Sequence, residues 1–324
     1  LGFKSFSRPG GKQMRGTVDW QVREVFKTVD KIGTSKHDAK IEVRNNGATS
    51  WHEVGKELGV HSYATADAYR DVWRHACEYA KAEYDLKNIE KITEREIAGY
   101  LESKVRDGVS HATLAQYSAA LEKFEVALNR YAAEHDTGRE YNFHESIQDV
   151  KDGANLERFE GSRAYVDPDR LVAEVHGDKY SIAAALQREG GARISEANHI
   201  SLGQLHGIRP DASTGEQKGW IEVEGKGGKV REIGVSPETY NRVSREISEA
   251  GRFDFDKRGY ARAVEGAAER SGQDHQGTHG LRWSWAQERH AELQKHGRTY
   301  EQALGLVSAE LGHDRADITE HYLR

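Results

Sequence analysis

Apolar residues recur at helical spacing through the first half of the chain. Val18, Val22, Val25, Phe26, Val29 and Ile32 fall on one stripe, which predicts a helix of about four turns. Ser50-Trp51-His52-Glu53 has the form of a capping box and predicts a short helix that stops at Gly59. Tyr69, Val72, Trp73, Ala76, Tyr79 and Ala80 mark the next stripe, with Thr65 as its expected N-cap. A second capping box, Thr93 to Glu96, precedes Ile97, Tyr100, Leu101 and Val105, and Gly108 ends that element. Ser110 caps a long helix through Leu114, Tyr117, Leu121, Phe124, Leu128 and Tyr131. Residues 50–140 therefore read as a bundle of four helices. Thr137 to Gly161 is polar and lacks a sustained period, so the linker is expected there.

The second half mixes periods. Asp167-Pro168 starts a helix with Pro at its first position, and an apolar helix through Ile182 and Leu186 runs into Gly190-Gly191. Trp220 to Glu224 and Lys229 to Val235 alternate like strands, with Gly225-Lys226-Gly227-Gly228 as the hairpin turn between them. Ser236-Pro237 caps a further helix, and helical patterns follow at 257–271, 279–295, 300–311 and 316–323. The expected fold class is mainly α with a small antiparallel β-sheet. It divides into an arm at 1–16, an N-terminal helical bundle at 17–150, a linker at 151–164 and an α+β domain at 165–324.

Composition narrows the function classes. Of 324 residues, 31% are charged and 36% hydrophobic, and no apolar run approaches the ~18–20 residues of a membrane span. A single cysteine, Cys77, excludes a disulfide framework and a cysteine-cluster zinc site, and fits a reducing, cytoplasmic compartment. Leu1 to Arg15 is basic and lacks the apolar core of a secretory signal. The net charge of -6 gives no whole-chain sign of a nucleic-acid partner. Its distribution is uneven, at +5 over residues 1–50, -8 over 51–160 and -3 over 161–324. Lys4, Arg8, Lys12 and Arg15 lie in a Gly- and Ser-containing stretch without acids. Such an arm suits a phosphate backbone, and equally a solvated terminus.

Four segments of the second half hold polar residues where a packed helix would not select them. Gly191-Ala192-Arg193-Ile194-Ser195-Glu196 sets an arginine after a glycine pair; alone, it also reads as a surface Arg paired with Glu196 on one helical face. Lys226 stands at the hairpin tip between glycines, where a lysine reaches a phosphate or a leaving oxygen, and Lys229 is not separable from it by spacing. His279-Gly280-Leu281-Arg282 puts a His and an Arg on one face at a helix start, an anion clamp or a simple cap. Gly312-His313 lies at a helix end, and Tyr322 follows nine positions later. Among 16 histidines no His-Glu-x-x-His pattern or comparable ligand spacing occurs, which ranks a metalloenzyme last.

Taken in order, these residues run Arg, Lys, His-x-x-Arg, Gly-His, Tyr, and in this order and spacing residues 165–324 resemble the tyrosine recombinases, the phage-integrase family of site-specific DNA recombinases. The likeness of the first half to that family's core-binding domain is architectural only. The resemblance implies a catalytic set of Arg193, Lys226, His279, Arg282, His313 and the nucleophile Tyr322, with Glu196 in a structural role. It implies no cofactor, double-stranded DNA with a specific core site as the partner, and a dimer or tetramer on that DNA in the nucleoid. Lys4, Arg8, Lys12, Arg15 and Lys229 are the expected DNA contacts, with Arg158, Arg163, Lys257, Arg258 and Arg262 as further basic positions. A phenol has an ordinary pKa of about 10 and needs a base, which His279 would supply, while Lys226 would protonate the departing 5′ oxygen. The two arginines would clamp the non-bridging oxygens and His313 would bond to one of them. Two alternatives stay open: a type IB topoisomerase, which shares a similar tyrosine and arginine set, and a DNA-binding protein of this fold without catalysis. Only Leu323 and Arg324 follow the tyrosine, where many relatives carry a segment that docks on a neighbouring protomer; either the end is trimmed or assembly contacts are expected elsewhere.

Overall fold

The structure, a computed structural model, describes residues 14–225, 228–313 and 316–324, with the side chains of Trp51 and His52 outside that description. The chain divides into two units, Leu1–Phe159 and Glu160–Arg324.

The first unit is helical. Helix α1, Val18–Phe26, is capped by Thr17 and tightens into a 3-10 turn at Lys27–Val29, so the expected four-turn stripe is split in two. Helix α2, Lys36–Asn45, was not signalled by any apolar stripe, and no residue of it is buried. Helix α3, Trp51–Glu57, opens on the Ser50–Glu53 capping box. Helix α4, Tyr63–Tyr84, is capped by Ser62 instead of Thr65. The Ser62 hydroxyl accepts from the Thr65 amide at 3.3 Å, which puts Thr65 at the third helical position. Helix α5, Glu94–Arg106, and helix α6, His111–Glu134, begin at the caps that Thr93 and Ser110 predict. Helix α7, His144–Ala154, corrects the expectation of a non-helical segment there, since the linker assigned to 151–164 starts inside it. Ile147 is fully buried, and Val150 and Ala154 pack on the same core, a stripe too short to stand out from its polar surroundings. Trp73 is the centre of this core: its indole stacks on Phe124 at 4.8 Å and its N–H donates to the Ala120 carbonyl at 2.6 Å.

The second unit is α+β. Helix α8, Pro168–Ala173, follows the Asp167 cap, and helix α9, Asp178–Gly190, ends at Gly191. Strand β1, Ile200–Ser201, is followed by β2, Leu205–Pro210, β3, Gln217–Glu224, and β4, Val230–Val235. The last three form an antiparallel sheet in the order β2-β3-β4, with Ile221 opposite Ile233 in the β3–β4 hairpin. Strand β2 exposes most of its residues and left no alternation to read. Helix α10, Pro237–Ala250, leads to β5, Arg252–Phe253, which pairs antiparallel with β1. Helices α11, Lys257–Ser271, α12, His279–Lys295, α13, Tyr300–Glu310, and α14, Ala316–Glu320, complete the unit, and a 3-10 turn at His321–Leu323 carries Tyr322. One apolar core joins the sheet to α9, α10 and α11. A smaller one gathers Trp283, Trp285, Leu293, Val307, Leu311 and Tyr322, and so seats the end of the chain on α12 and α13.

Candidate active site

Helix α9 stops because Gly191 turns left-handed, with φ of 60°, and a Cβ at that position would overlap the Trp285 indole. The next residues fold into a tight turn, with the Glu196 and Ala197 amides donating to the Arg193 carbonyl at 2.9 Å each. Arg193 and Glu196 are paired there, though not on a helical face, and Glu196 is a buried residue at 2% exposure. One Glu196 oxygen takes the Arg193 guanidinium. The other accepts from the Arg193 backbone at 2.8 Å and from Arg231 at 2.7 Å, with Arg282 at 3.5 Å. Burial alone would raise the Glu196 pKa; Arg231, the Arg193 amide, Arg282 and Arg193 together outweigh it and hold it below the usual value.

Three guanidinium groups thus surround one carboxylate. Arg282, on the first turn of α12, has no exposed surface. It donates to the main-chain carbonyls of Gly191 and, at 2.6 Å, Leu311. Burial, followed by the charges of Arg193 and Arg231, pushes its pKa down to about 10, which leaves it cationic at neutral pH. Arg231 donates to the Glu310 carbonyl at 2.5 Å. The Nε atoms of Arg231 and Arg282 are buried and find no acceptor in the protein. The pocket thus carries an excess of two positive charges and two unsatisfied donors, an arrangement suited to an anion.

Gly312, with φ of 69°, ends α13 and turns the chain so that His313 follows directly. His313 Nδ1 lies 2.8 Å from Thr319 Oγ1, and its Nε2 lies 3.5 Å from Arg282 Nη2. The Tyr322 ring sits 5.0 Å from Trp283 and 5.4 Å from His313, measured between centroids. Tyr322 Oη lies 2.9 Å from His279 Nε2. Burial first, then Arg282 and Arg193, lowers both imidazoles to a pKa of about 4. Both are therefore neutral at physiological pH, and with its proton on Nδ1, His279 can accept one from the phenol.

The structure brings together five of the six residues expected from the sequence: Arg193, His279, Arg282, His313 and Tyr322. Lys226 lies outside the described residues, as do Lys4, Arg8 and Lys12. Its neighbour Gly225 abuts the Arg193–Glu196 pair, for a Cβ there would stand 2.9 Å from Glu196 Oε1 and 3.6 Å from Arg193 Nη1. Lys229 is exposed, and its carbonyl closes the hairpin by accepting from the Gly225 amide at 2.6 Å. Arg15 is exposed just before α1. Arg158, Lys257, Arg258 and Arg262 are exposed as well, whereas exposed Arg163 is close enough to lower the His279 pKa. Among the described residues, no group of three His, Cys, Asp or Glu side chains could hold a metal, and no helix is long and apolar enough to cross a membrane.

Sequence reasoning missed Arg231 and Thr319. The signal for Arg231 was strand register: with Ile233 and Val235 it falls on the inward face of β4, where a charge needs partners. Thr319 lies three residues before Tyr322, and only the fold brings it to His313.

Residues 56–131 match the phage integrase N-terminal SAM-like domain. No curated protein sequence matches the chain. Solved structures do. The XerH site-specific recombinase bound to difH substrate in a pre-cleavage complex has a TM-score of 0.59 at 17% identity, over 97% of this chain and 95% of that one. The lambda integrase dimer bound to a COC′ core site has a TM-score of 0.53 at 15% identity, over 90% and 96%. The Tn1549 transposon integrase in complex with transposon right end DNA has a TM-score of 0.52 at 14% identity, over 95% of each chain. Residues 56–131 thus match a phage-integrase SAM-like domain, and the chain shares the fold of the tyrosine recombinases over 90–97% of its length.

Proposed function

We propose that this protein is a site-specific DNA recombinase that cuts and rejoins strands through a 3′-phosphotyrosyl intermediate. The observation that carries the reading is the 2.9 Å contact of Tyr322 Oη with His279 Nε2, beside a buried pocket holding three arginines on one glutamate. A phosphodiester is the anion that such a pocket and a phenol could both use.

The chemistry is a pair of transesterifications. Tyr322 Oη attacks the scissile phosphorus while its proton passes to His279, and the bond from phosphorus to the 5′ oxygen breaks. The leaving oxygen takes a proton, with Lys226 proposed as its donor. The phosphotyrosyl ester keeps the bond energy, and a 5′ hydroxyl from another strand reverses the steps. Arg193 and Arg282 offset the charge that builds on the non-bridging oxygens, and His313 Nε2 adds a donor when its proton is on that nitrogen. Two carboxylate-anchored guanidiniums are preorganised for this, so little reorganisation accompanies the reaction. Rejoining two different strands needs at least two bound copies, so the partners are double-stranded DNA with a core site and a second protomer. The DNA-bound recombinases of this fold support both.

The test is a pool of nicked duplexes with a randomised core, in which the short strand beyond the cut diffuses away and traps the intermediate. A denaturation-resistant adduct on the 3′ phosphate, formed equally well in excess chelator, is the expected result. Adduct formation that requires a divalent cation would overturn the mechanism. Robust relaxation of any supercoiled plasmid, whatever its sequence, would favour a topoisomerase.

The two lowered imidazoles give a pH signature. Their basic form is complete above about pH 5.5, so the rate of adduct formation at low DNA concentration is expected to be flat between about pH 5.5 and 7.5. A decline of tenfold or more over that range would mean that His279 titrates near its ordinary value. Stability follows the same sign. The unfolded chain takes up these protons near pH 6.5 and the folded one only near 4, so stability falls as pH drops through that window.

A further inference from the structure

Helix α12 holds the proposed nucleophile by three separate handles. Residues 279, 283 and 287 are four apart and share one face. His279 meets the Tyr322 hydroxyl at 2.9 Å, Trp283 packs on its ring at 5.0 Å, and Gln287 Nε2 donates to its main-chain carbonyl at 3.0 Å. The same amide nitrogen is 2.9 Å from the Arg324 carbonyl and 2.9 Å from Ser162 Oγ. An amide carries two hydrogens, so two of these three acceptors are served at a time.

The segment that carries Tyr322 has little of its own to hold it. Helix α14 is five residues long and the following 3-10 turn three, well short of what forms a helix unaided. Its position is therefore set by what it lies on. His279 and Trp283 act on the side chain; among the described hydrogen bonds, Gln287 alone gives α12 a grip on the backbone of this turn.

We propose that Gln287 is a positioning residue for Tyr322, which fixes the main chain of the turn so that the phenol oxygen stays on His279 and faces the arginine pocket. This rests on Tyr322 being the nucleophile. A displacement of about 1 Å at a reacting atom costs on the order of 100-fold in rate, so loss of this grip is expected in the chemical step rather than in DNA affinity.

The experiment measures adduct formation on a nicked duplex recovered from the pool, as a function of DNA concentration. Gln287→Met keeps the length of the side chain and removes the donor. It is expected to lower the saturated rate by about 10- to 100-fold while the half-saturating DNA concentration moves less than about twofold. Gln287→Glu, which sets a carboxylate against two main-chain carbonyl oxygens, should fall further. Gln287→Lys restores a donor and should recover most of the rate. Ser162→Ala removes a competing acceptor and should leave the rate unchanged. If the wild-type protein forms no adduct, the reading of Tyr322 fails and takes the inference with it. If it does, and the Met and Glu variants cleave at the wild-type rate, the inference alone is overturned. A loss confined to DNA affinity, or one that Gln287→Lys fails to recover, overturns it equally. Should Gln287→Met not fold, the Glu and Lys pair gives the same decision.

Discussion

Replacement of Tyr322 by phenylalanine is expected to abolish the covalent adduct while leaving DNA binding intact. The substitution deletes one oxygen. Its only described hydrogen bond is the 2.9 Å contact with His279, which is worth about 1 kcal/mol. The ring remains where it is, because Trp283, His313 and His279 surround it at centroid distances of 5.0, 5.4 and 5.7 Å. None of the arginine contacts runs through the hydroxyl, since Arg193, Arg231 and Arg282 are held by Glu196 and by main-chain carbonyls. The arginine pocket should therefore be unchanged, and without the proposed nucleophile no covalent path is expected. Gel-shift affinity within about twofold of wild type and no detectable adduct is the predicted pair of results. Residual adduct in Tyr322→Phe would assign the chemistry to another group.

Glu196→Gln should produce the largest change in stability. The carboxylate has no exposed surface and is the buried counter-charge for Arg193, Arg231 and Arg282. Removing one member of a buried ionic set costs about 3–5 kcal/mol, because the remaining charges stay desolvated and unpaired. Here three like charges are left facing one another. Because the Glu196 pKa is lowered in the folded protein, its contribution is present above the unfolded value of about 4.3 and is lost as pH falls through the folded one. The variant is expected to show a lower denaturant midpoint at neutral pH. DNA should restore it more than it stabilises wild type, since a phosphate supplies the missing negative charge and binding to the folded state raises stability by mass action. A variant that melts like wild type would mean that the glutamate is not the keystone of the pocket.

Much of this architecture was legible in the sequence because helices announce their ends. Ser50, Thr93, Ser110, Asp167 and Ser236 each predicted a helix start that the structure contains. The hairpin showed in the alternation of β3 and β4 around its glycines. What stayed hidden lacks a local signature. Helix α2 buries nothing, so no stripe marks it. Helix α7 has a stripe only three residues deep. In the candidate site the order of residues was readable, but the environment of each was not. Arg282 is a buried cation and Glu196 a buried anion only because separate segments, from the turn after α9, from β4 and from α12, fold onto the same point. The whole-chain charge of -6 concealed this, since a local excess of arginines inside a pocket contributes little to the sum.

The most direct measurement is peptide mapping of the trapped adduct. Protease digestion of the covalent complex, followed by mass spectrometry of the peptide that retains nucleotide, identifies both the residue and the DNA end. The prediction is a 3′ phosphate on Tyr322. Nucleotide on any other residue, or attachment through a 5′ phosphate, would contradict the convergence of Arg193, Arg282, His279, His313 and Tyr322 on a single diester.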